Sequence, residues 1–372
     1  MIEGHRIWDL SRVKDRPAKR MELTDLVRFK GAWYCGFREG EIHGNHPSGR
    51  ARIVRSADGE AWETAALFDW DCADVREPKF SVTAEGHLMV NTSLAFTSRE
   101  PCADGKFHRL EEAGTPETDD EKAVARQSVT WLSPDGKKWS CAYACPSGVN
   151  TWRWEVVWHN GMGYSVGYCG KDSKGTLYRT RDGKSWRTLL SEFLPEGRGN
   201  EASLAFDEDG TAYCLLRDGL LRAAGASRLD SDGHQIQPAQ AHRTHGSSLP
   251  MFGIGKAPYY QEWLWKPVTV DWNTDGNALP VEDVFRAPLG GPKVIRLSDG
   301  RFAAAGRVLG PSQDDGRITL FMVDPDTAVL TKFDECAGTT YGSIVEHEGR
   351  IWVSYAASDV SAVFLGSVEI PQ

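Results

Sequence analysis

Ser56-Ala-Asp-Gly-Glu-Ala-Trp62, Ser133-Pro-Asp-Gly-Lys-Lys-Trp139 and Thr180-Arg-Asp-Gly-Lys-Ser-Trp186 are three copies of one pattern, S/T-x-D-G-x-x-W. The pattern encodes a tight turn. Its hydroxyl and Asp side chains bond local backbone, its glycine turns the chain, and its tryptophan packs against a neighbouring element. Three copies mark a repeated scaffold. Asp58, Asp135 and Asp182 are therefore read as turn formers, on outer turns between third and fourth strands, and kept out of the candidate site.

A second repeat interleaves with the first: an apolar strand, a turn ending in glycine, and another apolar strand. Its six copies are DLVRFKGAWYCGFR from Asp25, KFSVTAEGHLMVNT from Lys79, EVVWHNGMGYSVGY from Glu155, ASLAFDEDGTAYCLLR from Ala202, KVIRLSDGRFAAAGR from Lys293 and SIVEHEGRIWVSYA from Ser343. The turn glycines Gly31, Gly86, Gly161, Gly210, Gly300 and Gly349 are spaced by 55, 75, 49, 90 and 49 residues. Six hairpins so spaced predict an all-β, six-bladed β-propeller spanning 1–372 as a single domain. A strand around Ile7–Leu10 closes the ring against the last blade. Helical periodicity is nearly absent, with 117–126 a short helix or a charged loop. The polar stretch 223–250 reads as a long loop insertion, a lid or a partner contact.

Composition agrees. The chain has 38 Gly and 14 Trp, and 43 Lys+Arg against 52 Asp+Glu give a formal charge of −9. That balance argues against a nucleic-acid partner, which needs a basic face. No apolar run approaches the roughly 18 residues of a membrane span. The start MIEGHRIWDL shows no leader, which points to the cytoplasm, or to a periplasmic or secreted protein if a leader was removed. The eight cysteines read as small buried hydrophobes in a reducing compartment. Cys141 and Cys145 have poor zinc spacing.

The three turns match the Asp-box, and the chain resembles the sialidase-like (BNR/Asp-box) superfamily over essentially its whole length. Within it, the chain resembles six-bladed bacterial exo-sialidase-like proteins. The landmarks are FREG…H (Phe37–His43), VREPK (Val75–Lys79), GNEA (Gly199–Ala202), GGPKVIR (Gly290–Arg296) and TYG (Thr340–Gly342). The R-I-P triplet of sialidases is absent from the first blade; Arg6-Ile-Trp8 is the nearest string.

In a propeller, residues before each first strand and after each second strand converge on one mouth. Those positions hold Arg38, Arg76, Lys79, Arg153, Arg217, Lys293 and Arg307, a basic ring with Glu77, Glu155 and Glu201 among it. Arginine's planar fork suits a carboxylate, so the ring predicts an acidic sugar such as a sialate or uronate. Trp152, Trp154 and Trp158, and Tyr259, Tyr260, Trp263 and Trp265 of YYQEWLW, are candidate sugar platforms, with Trp158 and Trp265 also suited to packing between blades. By resemblance Tyr341 is the nucleophile or a pocket wall, and Glu201 its activator or a fixed partner of Arg217. Glu77 or Asp25 is the acid/base. His43 is a candidate general base or a bonded loop residue; with His46 it lacks a third ligand, so no metal or cofactor is expected. The functions open at this point are exo-hydrolysis of a terminal acidic sugar from a glycan, β-elimination by a polysaccharide lyase, and glycan binding without catalysis.

Overall fold

Each of the six sequence hairpins folds as the two innermost strands of its own antiparallel sheet. The computed structural model describes the chain except residues 15–16, 45, 98–125, 169–173, 195–199, 218–227, 230–234, 237–249, 258, 273–288, 309–315 and 358. The first blade runs Arg20–Phe29, Ala32–Gly40, Arg50–Ser56 and Trp62–Phe68 from the axis outward. The second has Ala73–Val75 and Lys79–Val82 innermost, then Leu88–Phe96, Arg126–Ser133 and Tyr143–Val149. The third has Trp152–Arg153 and Val157–His159, then Met162–Tyr168, Thr176–Thr180 and Trp186–Ser191. The fourth is Ala202–Phe206, Ala212–Leu216, Met251–Gly255 and Trp263–Pro267. The fifth is Leu289–Arg296, Phe302–Val308, Arg317–Asp324 and Val329–Cys336, with Thr269–Asp271 parallel on its outer edge. The sixth is Ser343–His347, Arg350–Ala357 and Ala362–Glu369. Its fourth strand is His5–Asp9, from the other end of the sequence. The chain is a six-bladed β-propeller closed by its N-terminal strand.

Two turn chemistries make the hairpins. Lys30-Gly31, Asn160-Gly161 and Glu348-Gly349 are two-residue loops with both residues at positive φ, the twist that suits antiparallel strands. At Gly86, Gly210 and Gly300 only the glycine has positive φ. There the chain closes through a pair of backbone bonds, as in Asp207 N–H to Thr211 O at 2.8 Å and Gly210 N–H to Asp207 O at 3.1 Å.

The core lies between blades. Six apolar clusters among the described residues each occupy one blade–blade interface, the largest joining Phe29, Ile53 and Phe68 to Phe80, Val90 and Trp131. The S/T-x-D-G-x-x-W turns all connect third and fourth strands. In the first copy Asp58 Oδ1 accepts the N–H groups of Glu60 and Ala61, each at 2.9 Å, and these bonds hold its carboxyl down to about 2. Trp62 packs with Trp33 and Val54 at the sixth–first interface, and Trp186 with Met89 and Leu132 at the second–third.

A propeller leaves one unpaired edge on every innermost strand, and those N–H and C=O groups need partners. Side chains of the neighbouring blade supply them. Asp25 Oδ2 accepts the Phe80 N–H at 2.6 Å, and Asn91 Nδ2 donates to the carbonyls of Arg153 (2.6 Å) and Trp154 (2.9 Å). Glu155 Oε1 accepts from Leu204 N–H at 3.0 Å and from the Ser203 hydroxyl. Ser203 Oγ accepts from Val294 N–H at 2.8 Å. These bonds carry the ring from the first blade to the fifth.

Of the expected buried cysteines, Cys35, Cys214 and Cys336 are buried, Cys72 and Cys145 are partly exposed and Cys141 is exposed. Cys102, Cys169, residues 117–125 and most of 223–250 lie outside the described residues; within the insertion Arg228–Leu229 pairs with Gln235–Ile236. Among the described residues no helix is long and apolar enough to cross a membrane.

Closure through the N-terminal strand has a measurable consequence. Trp8 is buried with Ile7 in the sixth–first interface. Trp8→Ala is expected to cost about 3–5 kcal/mol in thermal or denaturant unfolding. Trp70→Ala, on the surface, is expected to change stability by no more than about 0.5 kcal/mol.

Candidate functional site

Three inner strands meet at Tyr341. Glu201 and Arg217 flank the hairpin Ala202–Phe206/Ala212–Leu216 one rung beyond its end, where Arg217 N–H still donates to Glu201 O at 2.9 Å. That register sets the two side chains next to each other. Arg217 Nη1 donates to Glu201 Oε1 at 2.6 Å and to the Tyr341 hydroxyl oxygen at 2.6 Å, while the Tyr341 O–H donates to Glu201 Oε1 at 2.9 Å. The other Glu201 oxygen accepts the Gly291 N–H at 3.0 Å. Gly291 has φ +56°, and a Cβ there would lie 2.2 Å from Tyr341 Cγ, so only glycine allows ring and backbone to approach. Burial and the Glu201 charge push the Tyr341 hydroxyl above the usual tyrosine range, against the pull of Arg217 and Arg307.

The walls are aromatic and cationic. Leu23, Trp152, Trp154 and Tyr341 form one buried cluster with Tyr168 packed against it. Trp154 meets the Tyr341 ring edge-on at 5.9 Å between centroids, and Trp152 stacks with its cross-strand partner Tyr168 at 5.8 Å. The Arg307 guanidinium sits 5.1 Å from the Tyr341 ring centre, and the Lys79 ammonium 4.5 Å from that of Trp154. Arg76 and Arg126 lie over Trp152 at 5.3 and 4.7 Å.

Glu77 is buried beside this cluster, and neither of its oxygens has a hydrogen-bond partner. Burial raises its carboxyl above the usual range, opposed by Arg76 and Lys79 and assisted by the Glu201 charge. A carboxyl in that state keeps its proton to higher pH and can donate it. Arg76 Nε stands 3.3 Å from Glu77 Oε2, and its Nη1 donates to Asp74 Oδ2 at 3.1 Å. Asp74 Oδ1 takes Arg38 Nε at 2.8 Å, and Arg38 Nη1 donates to Glu22 Oε1 at 2.6 Å. Glu22 Oε2 holds His43 Nδ1 at 2.7 Å. Glu22 is 1% exposed and His43 55%, so the imidazole is the outer end of a buried line of charge. Arg38 is thus bonded by two carboxylates and by the Ile42 carbonyl, which accepts from Nη1 at 3.0 Å.

Two further members of the expected ring pair with each other. Lys293 Nζ pairs with Glu155 Oε2 at 2.9 Å and stands 4.0 Å from Asp25 Oδ1. Asp25 and Lys293 each follow a β-bulge and lie inside their strands rather than at the start. Arg153 turns into the second–third interface, its guanidinium 4.8 Å from the Trp186 ring centre and 5.8 Å from that of Tyr178. Burial lowers its tendency to hold a proton. Trp158 donates to Ser81 Oγ at 3.2 Å, and Tyr260, Trp263 and Trp265 pack at the third–fourth interface. His46 bonds Ser48. Among the described residues no group of three His, Cys, Asp or Glu could hold a metal ion.

Glu22, Asp74 and Gly291 were not among the expected site residues. Their signals were present: Asp74 immediately precedes VREPK, Glu22 lies just ahead of the first hairpin, and Gly291 is in GGPKVIR.

No protein-family model matches the chain, and no curated protein sequence does. Solved structures do match. A protein of unknown function from Dyadobacter fermentans aligns with a TM-score of 0.65 at 15% identity, covering 100% of this chain and 99% of its own. The intramolecular trans-sialidase from Ruminococcus gnavus gives 0.62 at 11% identity, covering 99% and 97%. The α-L-arabinanase from Penicillium chrysogenum gives 0.60 at 11%, covering 99% and 98%. The fold is the sialidase-like six-bladed propeller.

At the mouth of this sialidase-like propeller, several buried donors have no acceptor among the described residues. Arg217 Nε, Arg307 Nε and the indole N–H groups of Trp152 and Trp154 have none. Most buried polar groups are paired, so such a convergence suits a ligand rich in acceptors. Gly291→Ala is expected to displace the Tyr341 ring, destabilise by about 1–3 kcal/mol and reduce the near-UV circular dichroism of Tyr341 and Trp154. The far-UV spectrum should stay unchanged.

Proposed function

We propose that this chain is an exo-acting glycoside hydrolase that removes a terminal acidic sugar, a sialate or a uronate, from a glycan. The observation that carries the reading is the bonded cluster of Tyr341, Glu201 and Arg217, open to the unpartnered donors of Arg217 and Arg307. Relatives in fold named sialidase, arabinanase and arabinofuranosidase support glycoside chemistry. The cations at the mouth favour an anionic sugar over a neutral one.

The reaction follows from the groups present. The Tyr341 oxygen attacks the anomeric carbon as its proton passes to Glu201 Oε1, 2.9 Å away. A neutral nucleophile approaches an anionic sugar with less repulsion than a carboxylate would. The bond to the leaving oxygen breaks, and that oxygen takes the proton of Glu77. Water then attacks the glycosyl-tyrosine, giving one proton to Glu77, while Glu201 returns its proton to the departing tyrosine oxygen. Arg217 and Arg307 hold the sugar carboxylate, and the Trp154 wall excludes water.

A second reading has its own support. The Glu22–His43 pair at 2.7 Å is a carboxylate orienting an imidazole, the arrangement of a general base. In a uronate lyase His43 would remove the C5 proton while the C4–O bond breaks, a C4–C5 double bond forms and the leaving oxygen takes a proton from solvent.

Aryl sialosides and uronides separate these readings. Tyr341→Phe, Glu201→Gln and Glu77→Gln are each expected to lower kcat by about 10²–10⁴-fold. Full activity in Tyr341→Phe would overturn the hydrolase assignment. Because Glu77 acts in its protonated form, wild-type activity should fall as pH rises through the raised Glu77 value, and Glu77→Gln should lose that basic limb. An ultraviolet-absorbing unsaturated product that disappears in His43→Ala would select the lyase. Glycan affinity with no product of either kind would select a binding protein.

A further inference from the structure

Arg76 is shared unequally between two buried carboxylates. Its Nη1 makes a hydrogen bond to Asp74 Oδ2 at 3.1 Å, whereas its Nε is 3.3 Å from Glu77 Oε2 without forming one. Asp74 is itself fixed on its other oxygen by Arg38, which Glu22 holds in turn. Arg38 and Arg76 are hydrogen-bonded by Asp74 and Glu22. Glu77 is buried with Arg76 Nε as an ion-pair partner at 3.3 Å, but among the described residues no cation makes a hydrogen bond to it. Arg38 and Arg76 both hold the Asp74 carboxyl below its usual range against the cost of burial, so Asp74 is the ionised member.

The packing around Asp74 is specific. A Cβ on Gly49 would lie 1.7 Å from Asp74 Oδ1, and a Cβ on Gly44 would lie 2.5 Å from Arg76 Nη1. The loop carrying His43 thus closes over Asp74 and Arg76 with its two glycines where a side chain would push them apart.

We propose that Asp74 is a positioning residue that holds the Arg76 guanidinium on the Arg38 side and so leaves Glu77 without a hydrogen-bonded cation. Its effect is to keep Glu77 a proton donor. The groups facing Glu77 are Arg76 and Lys79 from its own segment, Glu201 from the fourth blade, Tyr341 from the sixth and Tyr168 from the third. Burial and Glu201 favour the neutral acid, while the two cations favour the anion. Removing the Asp74 charge takes away a nearby anion and releases Arg76 to bond Glu77. Both changes favour the Glu77 anion, so the sign is unambiguous.

This inference rests on the reading of Glu77 as the acid of the proposed hydrolase, and two readouts keep the two apart. The first is the pH profile of kcat/KM on an aryl glycoside. Asp74→Asn should move its basic limb to lower pH by about one unit or more, which is about tenfold less activity on the alkaline side. The second is the infrared band of a protonated buried carboxyl, assigned to Glu77 by its loss in Glu77→Gln and followed with pH without substrate. It should disappear at lower pH in Asp74→Asn. Gly49→Ala, which displaces Asp74 without removing its charge, provides a second variant and should shift the band the same way. A folded Asp74→Asn or Gly49→Ala protein whose Glu77 band titrates as in wild type would overturn the inference. Full activity in Glu77→Gln would overturn the hydrolase role of Glu77, and the infrared measurement would still decide for or against Asp74.

Discussion

The unpaired inner edge of each blade is the constraint on which this structure depends. Six sheets arranged around an axis present six rows of backbone N–H and C=O groups that no strand can satisfy. An unmet buried donor costs about 1–3 kcal/mol, so the ring needs polar side chains wherever two inner strands approach. Asp25, Asn91, Glu155 and Ser203 meet the need from the first blade to the fifth, each reaching the backbone of the next. Thr24 of the first blade joins it to the sixth: its N–H donates to the Tyr341 carbonyl at 3.0 Å and its hydroxyl to the Ser354 carbonyl at 3.0 Å. The axis is therefore polar for structural reasons before any ligand is considered.

That demand divides the charges into two populations. Lys293 lies between Glu155 and Asp25 and neutralises residues whose first role is to hold blades together. The Glu155 and Asp25 charges outweigh the opposing effect of burial and hold its proton above the usual lysine range. Arg217, Arg307 and Lys79 instead lie over aromatic rings.

The site also shows how one cation can serve two carboxylates differently. Arg217 Nη1 bonds Glu201 Oε1, the same oxygen that accepts the Tyr341 O–H. Arg76 bonds Asp74 and stands beside Glu77 without bonding it. In a buried pocket such differences in hydrogen bonding separate the proton affinities of like groups more than proximity alone.

By itself the sequence determined the blade number, the glycine hairpin turns, the positions of the S/T-x-D-G-x-x-W turns and the closing strand. All of these depend on short-range rules: alternation, glycine at positive φ, and Asp bonding the backbone two and three residues on. It also brought Tyr341, Glu201, Glu77 and Arg217 into view, because residues flanking inner strands must converge. It could not separate Arg153, turned between blades, from Arg217, turned into the mouth, since Arg153 ahead of a first strand and Arg217 at the end of a second strand both belong to the rim positions expected to converge. Nor could it show that Arg38 is bonded by Glu22 and Asp74 or that Gly291 makes room for Tyr341. Those outcomes depend on bulges at Asp25 and Lys293, on side-chain rotation and on contacts between blades more than a hundred residues apart. Only the closed ring of blades decides them.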